Sequence, residues 1–267
     1  MELDEKQIER YSRNIVLAEI GVEGQRKLRA AGVLIVGAGG LGSPASLYLA
    51  AAGVGCLGIV DPDLVDLSNL QRQVLHATPG VGTSKAESAA ARLRDLNPDV
   101  EIECRAERLT ADNALELIER YDFVVDGTDN FAAKYLINDA CVLAGKPYSH
   151  AGVLGFGGQV FTWEPPAGKH PCLRCLVPEP PSPSETPDCA RSGVLGPAVG
   201  IVGSIQAAEA IKSICGTGGG LTGRLLSIDA LRMRFPTVVT AAAPDCPVCS
   251  TTAEICSLDD SVYLDQP

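Results

Sequence analysis

Short apolar runs rich in β-branched residues alternate with longer stretches whose apolar positions recur every three to four residues. Residues 8–18 predict an opening helix, 33–36 (VLIV) a first strand, 43–52 a helix and 57–60 a second strand. Residues 84–98 keep helical spacing and stop at Asn97-Pro98, because a residue before proline is pushed out of the helical region. A strand over 100–104, a helix over 113–121, a strand over 123–130 ending in a polar tip and a helix over 134–145 continue the alternation. Repeated strand–helix units predict a mainly parallel sheet with helices on both faces.

Past Pro147 the pattern changes. Residues 155–165 (GFGGQVFTWEP) alternate and carry aromatics, which predicts an antiparallel strand. Residues 178–189 (PEPPSPSETPDC) are proline-dense and predict an exposed loop. Residues 192–208 form the longest charge-free stretch, but they are broken by Gly and Pro and fall short of the roughly 20 residues a membrane span needs. They read as a loop leading into a buried helix. Residues 223–239 supply two further strands, and the tail after Cys249 is short, acidic and expected to fray. No internal repeat is visible.

Composition narrows the class. The chain has 267 residues, 46% of them hydrophobic and 21% charged, enough to bury a substantial α/β core. A net charge of −11 argues against a nucleic-acid partner, which would need a basic face. The first residues, MELDEKQIERYSRN, are charged and helical, so neither a secretory leader nor a membrane anchor is expected, and the cytoplasm is the expected location. Ten cysteines in such a chain point to free thiols or metal ligation rather than disulfides.

The first candidate chemistry is GAGGLG, with Gly37, Gly39 and Gly42 in the G-x-G-x-x-G pattern between a strand and a helix. The first glycine allows the tight turn, the second lets phosphate approach the backbone, and the third lets helix and strand pack closely. The helix start then offers N–H donors to phosphate. Asp61, nineteen residues after Gly42, ends the second strand and can accept both ribose hydroxyls. The fold class is therefore α/β, a Rossmann-like mainly parallel sheet extended by antiparallel strands. The ligand is an adenosine nucleotide, either NAD(P) or ATP. Asn69, Gln71, Arg72 and Lys85 follow. Cations beyond the glycine loop suit a triphosphate whose pyrophosphate must leave better than they suit a dinucleotide. Taken singly, Arg72 and Lys85 could equally be surface charges. Asp126, Asp129 and Asn130 lie at the carboxyl end of the fourth strand, where such sheets bind ligands. Asp129 is the expected Mg²⁺ ligand, while the Asp-Asn pair also fits a helix cap. An NAD(P)-dependent oxidoreductase stays open, although none of His76, His150 and His170 is obviously placed to assist hydride transfer.

The second is a pair of C-x-x-C motifs, Cys172/Cys175 and Cys246/Cys249, separated by 70 residues. Brought together they would form a tetrahedral zinc site with no open position, a clamp rather than a catalyst. A redox C-x-x-C is the rival reading. Cys189, in TPDCARSGVLGP, could be a nucleophile or an ordinary exposed thiol, and Cys56, Cys104, Cys141 and Cys215 read as core.

Taken in order, RYSRNIVL, GAGGLGSP, LSNLQRQVLH, VGTSKAESA, DGTDNF, CLRC, CARSGVLGP and CPVC resemble the ubiquitin-activating-like adenylyltransferases of the HesA/MoeB/ThiF group over nearly the whole chain. The resemblance implies an enzyme that binds MgATP and the Gly-Gly end of a small ubiquitin-like sulfur-carrier protein. It would adenylate the carrier's terminal carboxylate, release pyrophosphate and prepare a thiocarboxylate for molybdenum-cofactor, thiamine or related sulfur metabolism. It implies that Gly40 and the loop line the phosphates, that Asp61 takes the ribose, and that Asn69, Gln71, Arg72 and Lys85 hold the triphosphate. It further implies that Asp129 binds Mg²⁺, that Arg13 crosses a homodimer interface to the neighbouring site, and that Cys189 is the crossover-loop cysteine. Residues 1–267 would then be one adenylation domain: a nucleotide-binding half over about 1–150, a carrier-binding and zinc half over about 151–250, and an acidic tail over 251–267. No rhodanese-like module is expected beyond Pro267, and the sulfur donor, a rhodanese or a cysteine desulfurase, is expected in trans. A non-catalytic carrier-binding scaffold is the remaining alternative.

Overall fold

The computed structural model describes residues 2–181 and 193–263. Its strands are β1 (Gly32–Val36), β2 (Cys56–Val60), β3 (Glu101–Arg105), β4 (Phe123–Asp126), β5 (Tyr148–Leu154), β6 (Gly157–Trp163), β7 (Arg224–Asp229) and β8 (Thr237–Val239). They form one eight-stranded sheet in the order β3-β2-β1-β4-β5-β6-β7-β8. Strands β1 to β5 pair in parallel, and β6, β7 and β8 join antiparallel. The helices are α1 (Glu5–Arg10), α2 (Ser12–Ile15), α3 (Gly21–Ala30), α4 (Gly42–Ala52), α5 (Lys85–Leu96), α6 (Ala111–Glu119), α7 (Phe131–Ala144), α8 (Leu173–Leu176), α9 (Gly196–Cys215) and α10 (Asp260–Tyr263).

The strand apolar runs are continuous because both sheet faces are covered. Alternate residues point to opposite faces. Val33, Ile35, Leu57, Ile59, Phe123 and Val125 pack with Leu49 of α4, Leu93 of α5 and Ala207 of α9. Leu34, Val36, Val60 and Val124 pack with Leu117 and Ile118 of α6 and Ile137 of α7. The expected buried helix is α9, long and apolar enough to cross a membrane by composition, yet with half of its apolar window buried inside the fold. It approaches α4 closely: a Cβ at Gly203 would meet the Leu41 carbonyl.

Three expectations are corrected. The helix expected over 8–18 is split into α1 and α2, because Tyr11 turns inward to 2% exposure and its hydroxyl accepts a hydrogen bond from Asn97 Nδ2 at 2.9 Å. The strand expected over 123–130 stops at Asp126, because Asn130 instead caps α7, its side chain accepting from the Ala133 N–H at 2.9 Å. Finally, α3 and β5 are additional elements. The segment YSHAGVL hides β5 by mixing Ser, His and Gly into a strand whose register, Tyr148 opposite Trp163, is set by its partner β6.

Candidate functional site

Strand β1 pairs with β2 on one side and β4 on the other, so successive connections leave it in opposite directions. The crevice this opens lies at the carboxyl ends of β1 and β4, where Val36 stands beside Asp126. Gly37 follows β1 with φ +94°, and a Cβ there would lie 2.8 Å from the Gly127 carbonyl. A Cβ at Gly42 would fall on the Gly37 carbonyl, and one at Gly40 would lie 2.7 Å from Val199 Cγ1. Gly39 is different: the only atom near its missing Cβ is Gln73 Nε2, at 3.5 Å. Three glycines therefore satisfy packing, and Gly39 faces space. The Gly39 and Gly40 N–H groups have no partner among the described residues, and no side chain caps α4. A loop of free N–H groups opening into an uncapped helix is a receptor for an anion.

Asp61, just after β2, is 5% exposed. One carboxylate oxygen accepts from Ala38 N–H at 2.7 Å, the other from Asp63 N–H at 2.8 Å. Burial raises its pKa, with the two N–H bonds and Lys85 opposing. Lys85 is no surface charge. It opens α5 with its side chain 8% exposed, Nζ 2.9 Å from Asp63 Oδ2. Arg72 is half-buried and donates to the Ser68 carbonyl at 3.2 Å. Asn69 closes a short 3₁₀ turn, its side chain accepting from Asp66 N–H at 3.3 Å, and Gln71 is exposed. The amide set against the glycine loop is that of Gln73, 5% exposed, whose Oε1 is buried without a partner.

At the end of β4, Asp126 is fully buried, and it shapes the following turn by accepting from Thr128 Oγ1 at 2.6 Å and from Thr128 N–H at 3.1 Å. Lys134 Nζ stands 3.1 Å from its other oxygen and donates to the Ala151 carbonyl at 2.6 Å. His150 Nδ1 lies 2.9 Å from the same carboxylate oxygen, close but poorly aligned for a hydrogen bond. Burial works against this carboxylate, but the Lys134 ammonium first, and then the Thr128 hydroxyl, hold its pKa well below the usual range. Burial lowers that of His150, keeping the ring neutral. The turn delivers Asp129 to the surface, exposed and unpaired among the described residues.

Arg13 is exposed on α2. Asn14 beside it donates to Gln25, which donates to the Ala52 carbonyl at the far end of α4 from the glycine loop. Eleven helical residues rise about 16 Å, so this Arg13 stands away from the glycine loop of its own chain.

The two C-x-x-C motifs meet. Sγ atoms of Cys172, Cys175, Cys246 and Cys249 all lie within 4.8 Å of one another. Separations of 3.9 Å (172–175), 3.6 Å (172–246) and 3.4 Å (175–249) match the edge of about 3.8 Å that tetrahedral Zn–S bonds of ~2.3 Å require. The Cys175 thiol is lowered to about 7, first through its contact with Cys172. Behind the cluster, Arg174 forks onto buried Asp139 at 2.7–3.0 Å, and Leu173 N–H donates to Asn138, which fixes the first motif on α7. Four thiols and no open position could hold zinc as a clamp. Cys189 lies outside the described residues.

Sequence reasoning missed Gln73 and the contacts that single out His76, and it placed Asp126 at the strand end without its partners Lys134 and His150. A buried polar residue carries no periodicity, and only the density of polar residues in LSNLQRQVLH hinted at the first two.

The sequence matches the ThiF family over residues 11–248. The chain belongs to the ThiF family. The SAMP-activating enzyme E1 of Haloferax volcanii is 49% identical over 99% of this chain and 97% of its own length. The sulfur carrier protein adenylyltransferase of Thermus thermophilus is 47% identical over 93% of each. The adenylyltransferase and sulfurtransferase MOCS3 of Culex quinquefasciatus is longer: 48% identity extends over 97% of this chain but 59% of that protein. Among solved structures, E. coli MccB with ATP superposes with a TM-score of 0.79 at 26% identity, covering 90% of this chain and 73% of MccB. Asp61 sits on the glycine loop through the Ala38 N–H, and Gly127, just after β4, lies against Gly37.

Proposed function

We propose that this ThiF-family chain adenylates the C-terminal glycine of a small ubiquitin-like sulfur-carrier protein ending in Gly-Gly, at the crevice between β1 and β4. The observation that carries the reading is the anion receptor of Gly39 and Gly40 beside Asp61, with buried Lys85 opening the adjacent helix. Asp61 accepts the ribose hydroxyls, and the loop N–H groups hold phosphate. Asn69, Gln71, Arg72 and Lys85 offset the charge of the triphosphate; Lys85 exchanges Asp63 for phosphate. The carrier carboxylate, already ionised at neutral pH, attacks the α-phosphorus in line. The bond from the α-phosphorus to the bridging oxygen breaks, and pyrophosphate leaves with that electron pair. No general base is needed, so positioning and charge neutralisation supply the catalysis.

Asp129, exposed and without a partner among the described residues, is the residue to hold Mg²⁺, with Asn130 capping the helix behind it. The metal supplies charge neutralisation on the phosphates. Cys172, Cys175, Cys246 and Cys249 hold zinc away from the chemistry. Arg13 reaches the neighbouring site of a homodimer, which accounts for its distance from its own glycine loop. Cys189 serves the step after adenylation, and the protein works in the cytoplasm. The glycine loop alone would equally serve an oxidoreductase, but relatives named adenylyltransferases over their whole length favour the present reading. Exchange of labelled pyrophosphate into ATP tests it: exchange should require a Gly-Gly carrier, and its absence with every such carrier would overturn the reading.

A further inference from the structure

His76 is 7% exposed and belongs to none of the groups assigned so far. Its Nε2 lies 2.9 Å from the carbonyl of Ala38, inside the glycine loop, and its Nδ1 lies 2.9 Å from Ser88 Oγ on α5. The Ala38 carbonyl can only accept, so Nε2 must carry the proton and Nδ1 accepts from the serine hydroxyl. Burial, and then nearby Lys85, disfavour protonation of the ring, against the Ala38 carbonyl and Asp61, and keep it neutral.

Resting on the ATP site assigned above, we propose that His76 is a positioning residue that aims the Gly39 N–H at the triphosphate and ties the glycine loop to the helix carrying Lys85. The physical link is the peptide between Ala38 and Gly39. In a planar trans peptide the C=O and the N–H point in opposite directions. Pinning the Ala38 carbonyl toward His76 therefore turns the Gly39 N–H the other way, and that N–H is unpaired among the described residues. At Gly39 any other side chain would fill the space the phosphate needs, and no other hydrogen bond holds this peptide among the described residues. Asp61 grips the preceding one, through the Ala38 N–H. The two polar side chains thus hold consecutive peptides of the loop. Ser88 lies one helical turn beyond Lys85, so the same imidazole sets the spacing between the loop and the lysine.

The test is ATP affinity by calorimetry together with KM and kcat for exchange, on full-length His76→Gln, His76→Asn and Asp61→Ala. A glutamine amide nitrogen reaches the place of imidazole Nε2, whereas that of asparagine falls near Nδ1. His76→Gln should bind ATP within about threefold of wild type. His76→Asn, with the Ala38 carbonyl released, should bind roughly tenfold more weakly, with KM for ATP raised more than kcat is lowered. Wild-type ATP affinity in His76→Asn, or equal weakening in both His76 variants, overturns the proposal. If Asp61→Ala weakens binding while His76→Asn does not, the positioning role falls and the site stands; if neither weakens it, both fall. Should His76→Asn fail to fold, Ser88→Ala carries the test: a twofold to fivefold loss of affinity, on the order of one weakened hydrogen bond, supports the role, and unchanged affinity overturns it.

Discussion

Asp61 and Asp126 stand at the carboxyl ends of β2 and β4, the two strands that flank β1, and both are buried, yet their surroundings treat them oppositely. Asp61 accepts one backbone N–H on each oxygen, which leaves a further lone pair on each for a ligand. Asp126 is matched by Lys134 and spends its carboxylate on structure. Because the folded state lowers the pKa of Asp126, its charge contributes stability that is complete above the unfolded value of about 4 and is lost as pH falls below it. Asp126→Asn should therefore cost about 3–5 kcal/mol at pH 7 by leaving Lys134 buried and unpaired, and the difference from wild type should shrink at pH ~3, both read by urea unfolding. Asp129→Ala removes a side chain that is exposed and has no partner among the described residues. Its melting temperature should stay within about 2 °C of wild type while exchange activity disappears, since surface substitutions are usually worth under ~0.5 kcal/mol. Asp61 and Asp129 were legible in the sequence because motif spacing and strand ends mark them. Gln73, His76 and Lys134 were not, because what singles them out is a contact across the fold.

At the scale of elements, the glycine loop separates packing from function. Gly42→Ala drives a methyl onto the Gly37 carbonyl and should unfold the protein or cost several kcal/mol. Gly39→Ala meets nothing closer than 3.5 Å and should leave chemical denaturation almost unchanged while sharply weakening ATP binding. The βαβ alternation up to α7 was readable because buried parallel strands are short apolar runs and their helices keep a clear period. The split of α1 from α2 at Tyr11 and the strand β5 were not, since each depends on a tertiary partner: Asn97 in one case, β6 in the other. The C-x-x-C motifs were legible, but their meeting across 70 residues was left to the fold. About one zinc per chain is expected by metal analysis of reduced protein, and Cys246→Ser should lose both the metal and several degrees of melting temperature.

At the scale of the whole molecule, Arg13 is exposed on α2, away from the glycine loop of its own chain. Near it in the chain, Ile8, Val16, Leu17 and Val22 are exposed apolar side chains that a second copy of the chain would cover. If Arg13 completes the neighbouring site, Arg13→Ala and Asp129→Ala are each inactive alone. Their mixture after subunit exchange regains roughly a quarter of wild-type activity, because half the dimers then hold one intact site in two. No recovery would assign Arg13 elsewhere. The central claim is that the crevice between β1 and β4 transfers AMP to a carrier's terminal carboxylate. The most direct measurement is mass spectrometry of a Gly-Gly carrier after incubation with the protein, ATP and Mg²⁺. The account predicts one AMP on the C-terminal glycine, none when that carboxylate is amidated and none with Asp129→Ala. AMP on the amidated carrier, or phosphate transferred with release of ADP, would contradict it.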